Sequence, residues 1–179
     1  MTTKAFTPFP VLTTERLTLR QVLPSDVNAV FALRSDNEIN KYLDRQPAKT
    51  LEDAKHFIAN ITENIQKGEA LYWGITLTES GTFVGSICLF AFSDQHNTSE
   101  IGYELLKNHQ SKGIMTEAAN VVIAYAFQTL PLQTIEASSH KNNQASIKLL
   151  DKLHFKKATT QDPTDPDFLL YVLDKREQE

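Results

Sequence analysis

Apolar and polar residues alternate along RLTLRQV, residues 16–22, with Leu17, Leu19 and Gln21 on one side. That period of two predicts a half-buried strand. Pro24-Ser25-Asp26 follows and opens a helix over about 24–35, with Val27, Val30, Phe31 and Leu33 turned inward. Residues 43–49 form a turn-rich gap. Thr50 then has the chemistry of an N-cap, with Asp53 three positions on. Leu51, Ala54, Phe57, Ile58, Ile61 and Ile65 recur at helical spacing over 51–67, and Gly68 ends that amphipathic helix.

The period changes in the middle of the chain. LYWGITLT (71–78) and TFVGSICLF (82–90) are β-rich runs around Glu79-Ser80-Gly81, which predicts a hairpin. SEIGYELL (99–106) is a third run. A helix over about 114–129 carries apolar residues on most sides, from Ala118 to Phe127, so it is expected to be buried; Pro131 ends it. QTIEASS (133–139) reads as a short strand and 143–153 as a helix. FKKATT (155–160) and DFLLYVLD (167–174) read as two closing strands joined by a PTDP turn. The predicted order is β α α β β β α β α β β, an α+β chain with one domain over 1–179 and a loose arm at 1–13. Its strand–helix–strand crossover sets the N-terminus of the 114–129 helix at the end of a sheet.

Composition narrows the chemistry. Of the 179 residues, 41% are hydrophobic and 22% charged, as in ordinary globular domains. The formal charge of −4 disfavours non-specific nucleic-acid binding, which needs a basic surface. Cys88 is the single cysteine, so no intrachain disulfide and no cysteine-based metal site is expected; in SICLF it reads as a small core residue. His56, His96, His109 and His140 show no ligand spacing. MTTKAFTPFP lacks the apolar core of a signal peptide, and no window approaches 18 apolar residues. The expectation is a cytoplasmic protein with no membrane span and no metal.

The stretch HQSKGIMTEA, 109–118, places donors at the mouth of the buried helix. A helix start leaves about four backbone N–H groups unpaired and carries a partial positive charge, so it can hold a phosphate or pyrophosphate. Gly113 and Ser111 are small enough for close approach, while Gln110, Ser111, Lys112 and Thr116 can donate or add charge. Neither Rossmann nor P-loop spacing is present. Taken alone, the loop also reads as an ordinary helix start.

A second stretch, NQASIKLLDKLHF (143–155), lies some 30 residues on, and TERLTLRQVLPSDVNAVF opens the chain. With IGYELLKNHQSKGIMTEA, these resemble the GNAT acetyltransferases and, within them, the RimJ/RimL-type ribosomal-protein N-terminal acetyltransferases. The resemblance spans about 13–173. It implies the acyl-CoA N-acyltransferase fold, a mixed central sheet of about seven strands with four helices. Ser111 and His154 stand where the family usually has glycine.

The resemblance implies transfer of an acetyl group from acetyl-CoA, as co-substrate, to a primary amine. The loop from Gln110 through Ser111, Lys112, Gly113, Ile114 and Met115 to Thr116 would hold the pyrophosphate. The strand at Tyr103, Glu104, Leu105 and Leu106 would lie along the pantetheine and thioester. Asn143 matches the family's CoA-side asparagine and would serve equally as an N-cap. Direct transfer needs a base for the amine, a donor for the oxyanion and a donor for the leaving thiolate. Glu104 is the leading base candidate, sharing a strand face with Glu100 unless a bulge intervenes; Glu136 is a third. Ser146 matches the serine that the RimL-type pattern places near the CoA sulfur and is the candidate for the thiolate; Leu150, where many family members carry a tyrosine, adds weight to it. Tyr42, Trp73 and Phe90 are candidates for an acceptor pocket or for core.

At pH 7 an α-amine of pKa about 7.8 is roughly 14% neutral and a lysine amine roughly 0.04%. That difference favours a terminal α-amine where the enzyme supplies only a modest base, and the resemblance implies a protein N-terminus of ribosomal-protein type. A small-amine or antibiotic acetyltransferase and a non-catalytic acyl-CoA-binding sensor remain the alternatives, with a monomer or homodimer as the assembly.

Overall fold

The computed structural model describes residues 6–159 and 165–177. Eight strands form one mixed sheet in the order β1-β2-β3-β4-β5-β6-β8-β7. They are β1 (Leu12–Thr13), β2 (Leu17–Gln21), β3 (Leu71–Leu77), β4 (Phe83–Ser93), β5 (Thr98–Leu105), β6 (Thr134–His140), β7 (Lys156–Lys157) and β8 (Phe168–Asp174). Five helices accompany them: α1 (Val27–Ser35), α2 (Asn37–Asn40), α3 (Leu51–Gln66), α4 (Ile114–Thr129) and α5 (Gln144–Lys152). This is the α+β fold expected, enlarged by the two-residue β1 and the one-turn α2. Both are too short to leave a period in the sequence.

Two apolar layers hold the helices to opposite faces of the sheet. Leu17, Leu19, Trp73 and Ile75 pack with Ala118, Val122 and Ala126 of α4 and Leu150 of α5. Val30 and Leu33 of α1 pack with Ala54, Ile58 and Ile61 of α3 on the other side. Trp73 is fully buried and its indole Nε1–H donates to the carbonyl of Pro10 at 2.7 Å, so it belongs to the core. Leu51, expected on the buried stripe of α3, is 44% exposed, because the helix has only just begun there. The arm expected at 1–13 is not loose where it is described. Phe6, Phe9 and Leu12 pack on the core and β1 pairs with β2; residues 1–5 lie outside the described residues. The closing strand expected at 155–160 shrinks to β7, and its last residue, 160, with the first half of the PTDP turn, 163–164, is likewise outside them.

Helix ends explain one of the two odd residues of the sequence. At the end of α3, Gly68 has φ 72°, and Gly68 and Glu69 N–H return to the carbonyls of Ile65 and Asn64. His154 does the same at the end of α5, with φ 66° and N–H bonds from His154 and Phe155 to Asp151 and Leu150. Both are Schellman endings, whose left-handed residue is usually glycine. The exposed imidazole therefore sits on a strained backbone. Replacing it, His154→Gly, is expected to raise unfolding free energy by about 0.5–1 kcal/mol, the left-handed relief less glycine's entropy cost. A denaturation midpoint at or below that of the parent would remove this account.

The sheet parts at one place, and that place makes the site. β5 and β6 run parallel and pair only at Thr98↔Thr134, Ser99↔Ile135 and Glu100↔Glu136. Beyond them β5 stays with β4 as far as Gly85↔Leu105, while β6 stays with β8 to His140↔Phe168. The β5–α4–β6 crossover thus leaves a split at the C-terminal end of β5, with α4 starting just past it.

Candidate active site

A cleft of about 660 Å³ opens at this split. Its walls bring together Tyr103, Glu104 and Leu105 of β5, the loop residues Gln110, Ser111 and Gly113, and Ile114, Met115 and Thr116 of α4. Asn143 and Ser146 complete the far wall. Four sequence candidates stand apart. Leu106 packs with the α1–α3 layer, Lys112 is exposed beside the loop, and Glu100 and Glu136 face each other where β5 and β6 still pair. None of these four lines the cleft.

The loop is built around two left-handed residues, Ser111 at φ 59° and Gly113 at φ 76°. No side chain caps α4, in contrast to Asp36 on α2, Thr50 on α3 and Asn143 on α5. Its first-turn N–H groups belong to residues that line the cleft, which suits an anion such as a pyrophosphate. The Gln110 amide is directed inward, donating to the Leu105 carbonyl at 3.0 Å, so it braces the loop. Lys148 and Lys152, four apart on α5, add positive charge to the rim. The sequence pattern gave no sign of them, because lysines at that spacing normally form a solvated helix face.

A clamp missed by sequence reasoning holds the loop in place. Glu117 of the first turn of α4 accepts from the Thr14 hydroxyl at 2.5 Å, the Arg16 N–H at 3.0 Å and Arg16 Nε at 2.7 Å. Arg16 Nη1 also donates to the Lys112 carbonyl at 3.1 Å. Burial would raise the Glu117 carboxyl, but the Thr14 and Arg16 donors outweigh it and hold it below its usual range. The clamp therefore contributes above the ordinary glutamate range and is lost only as pH falls through the lowered value.

Alternation along β5 sends its two key side chains to opposite faces. Register with β4 is unbroken from Glu100 to Leu105, so Glu100 and Glu104 do share a face, about 13 Å apart along the strand. Glu104 turns to the α1–α3 side. Its Oε2 accepts from Arg45 Nη2 at 2.5 Å, and its Oε1 lies 3.4 Å from the Tyr72 hydroxyl and 3.3 Å from that of Ser86. Arg45 is steadied in turn by Asn40 Oδ1 at 2.6 Å. Tyr103 turns to the other side, where its hydroxyl lies 2.8 Å from Ser146 Oγ. Burial pushes the Tyr103 phenol up to about 12, so it stays protonated. Leu150 is fully buried and presents nothing to the cleft. Asn143 Oδ1 accepts from the Ser146 N–H at 3.2 Å, so it caps α5 while lining the cleft.

The acceptor-side candidates sort differently. Tyr42 stacks on His140 at 5.2 Å, and Phe168 meets His140 edge-on at 5.4 Å. These rings tie the segment after α2 to the β6–β8 side of the split. Phe90 is half-buried on β4. The Cys88 thiol is pushed up to about 12 by burial and then by the Glu104 charge, so it remains an inert thiol. Among the described residues no group of three or more His, Cys, Asp or Glu could hold a metal ion. No helix among them is long and apolar enough to cross a membrane.

The family model of the acetyltransferase (GNAT) domain matches residues 16–156. The chain belongs to the GNAT acetyltransferases. The uncharacterized N-acetyltransferase YoaA of Bacillus subtilis (strain 168) is 34% identical over 149 residues, 83% of this chain and 84% of its own. The uncharacterized N-acetyltransferase p20 of Bacillus licheniformis is 38% identical over 147 residues, 82% of each chain. Among solved structures, RimL, the ribosomal L7/L12 alpha-N-protein acetyltransferase in complex with coenzyme A, superposes with a TM-score of 0.80. That likeness covers 92% of this chain and 98% of RimL at 19% identity, and so speaks for the fold. The protein is thus a GNAT N-acetyltransferase that uses acetyl-CoA.

Proposed function

We propose that this GNAT enzyme acetylates the α-amine of a protein N-terminus. The observation that carries the reading is the division of labour across the edge of β5. Glu104 reaches the cleft from one face, and the Tyr103–Ser146 hydroxyl pair from the other. A thioester lying along that edge has a carboxylate on the acceptor side for the amine proton. It has hydroxyls on the opposite side for the departing thiolate. Acetyl transfer then breaks the thioester C–S bond and forms the amide C–N bond. The amine proton passes to Glu104, and a hydroxyl of the Ser146–Tyr103 pair hydrogen-bonds the CoA sulfur.

The choice of amine follows from the base. Glu104 already accepts from Arg45 and lies near two hydroxyls, so its acceptor capacity is shared. An α-amine arrives roughly 14% neutral at pH 7 and asks less of such a base than a lysine amine. The alpha-N-protein activity in the name of RimL supports the same acceptor class.

The test is free-thiol release from acetyl-CoA with a panel of peptide N-termini, aminoglycosides and polyamines, after calorimetry with acetyl-CoA, ATP and NAD. Selective acetyl-CoA binding and turnover on peptides are expected. Turnover confined to aminoglycosides or polyamines would replace the acceptor; binding without any turnover would make the chain a sensor.

A further inference from the structure

The acceptor side of Glu104 carries more positive charge than an amine site needs. Arg45 pairs with Glu104 and with Asn40. A second guanidinium, Arg34, lies over the Phe57 ring at 3.7 Å. Phe57 packs edge-on against Tyr72 at 5.5 Å, and the Tyr72 hydroxyl reaches both Ser86 and Glu104. Across this stack the Glu104 charge still acts on Arg34. Burial and the charge of Arg45 lower its pKa, while Glu104 and Tyr72 oppose that. Among the described residues no carboxylate pairs with Arg34, and its ring contact uses none of the five guanidinium N–H donors. Asp36, the acidic residue nearest in sequence, is engaged by the first N–H groups of α2.

Two guanidiniums against one carboxylate leave one net positive charge at the place where an amine must lose a proton. That field opposes an ammonium and favours the neutral amine. It also repels any acceptor with further cationic groups, and an anion on the acceptor restores the balance. We propose that the acceptor carries an acidic group next to its reactive amine, and that Arg34 reads it as a specificity-determining residue. The proposal rests on the α-amine reading above. In those terms the acid is a side-chain carboxylate on the residue after the N-terminal one.

The experiment compares kcat/KM on the intact enzyme for peptides beginning Ala-Asp, Ala-Ala and Ala-Lys, beside small primary amines with and without a carboxylate. The acidic peptide is expected to exceed the neutral one by about ten-fold, the size of one charge-assisted hydrogen bond, with the lysine peptide slowest. Arg34→Gln is expected to bring the three peptides close together, and Arg34→Glu to invert their order. The wild-type comparison decides the question even where a variant folds poorly. Equal rates on all three peptides would overturn the inference and leave the α-amine reading standing. Silent peptides with turnover only of carboxylate-bearing small amines would do the reverse. Preference for polyamines, or turnover of no amine, would overturn both.

Discussion

Glu104→Gln is expected to lower turnover at pH 7 by about 10²–10⁴-fold, with acetyl-CoA affinity unchanged. The amide keeps the size of the carboxylate and can still accept from Arg45, but it cannot take a proton from an amine. Loss of the base matters most where the acceptor is protonated. Below the pKa of an α-amine, about 7.8, the variant must wait for the rare neutral form; above it the amine arrives ready. The deficit is therefore largest at low pH and shrinks as pH rises past 8. Acetyl-CoA affinity stays because the 110–116 loop and the β5 edge, the proposed CoA-binding parts, are untouched. A fold check belongs beside the kinetics, since Arg45 loses its charge partner; at 24% exposure water can solvate part of it. A parental pH–rate profile in a folded Glu104→Gln enzyme would remove Glu104 as base. Glu136 and Glu100 would follow as candidates, although both sit where β5 and β6 still pair, roughly 13 Å up the sheet.

Much of this arrangement was legible in the sequence because it rests on local rules. The Thr50–Asp53 box did cap α3, Gly68 did end it, and the Glu79-Ser80-Gly81 turn did join β3 to β4. The apolar run from Ala118 to Phe127 did become the buried α4. The fold and the enzyme class followed from three motifs that make sense only together. What the sequence hid depends on contacts between distant segments. Arg16 and Glu117 are 101 positions apart, and Arg45 and Glu104 are 59 apart. No period or spacing links either pair. The pairing of Tyr103 with Ser146, 43 positions apart, is equally invisible, although each is a candidate on its own. Backbone sign was half-visible. Ser111 and His154 were conspicuous as replacements for glycine, and both occupy left-handed positions. The local surroundings of the arm misled, because Pro8 and Pro10 suggest a loose chain while Phe6 and Phe9 bury themselves against residues far along it.

Gly113→Glu is expected to cost at least 100-fold in acetyl-CoA affinity while leaving a folded protein. A Cβ built on Gly113 meets only Arg16 Nη2, at 3.5 Å, which is ordinary contact. Crowding inside the protein therefore does not require glycine there. The φ of 76° does favour it, and a non-glycine residue in that region costs about 1–2 kcal/mol. That is a stability effect, and Gly113→Ala measures it alone. Glutamate adds a second effect, a negative charge and four further heavy atoms beyond the Cβ at the N-cap of α4, the one helix start among α2 to α5 without a side-chain cap. The uncapped N–H groups attract anions because their donors are unspent and the helix dipole adds to them. A carboxylate placed among them competes for the donors and repels a pyrophosphate. The comparison therefore separates strain from recognition. Gly113→Ala is expected to lower the melting midpoint and weaken binding only modestly, and Gly113→Glu to abolish micromolar binding at a similar midpoint. Calorimetry on both, with circular dichroism for fold, checks it. Equal affinity of the two variants would assign the loop to helix geometry alone and place the phosphates elsewhere, with the Lys148–Lys152 rim the next place to look.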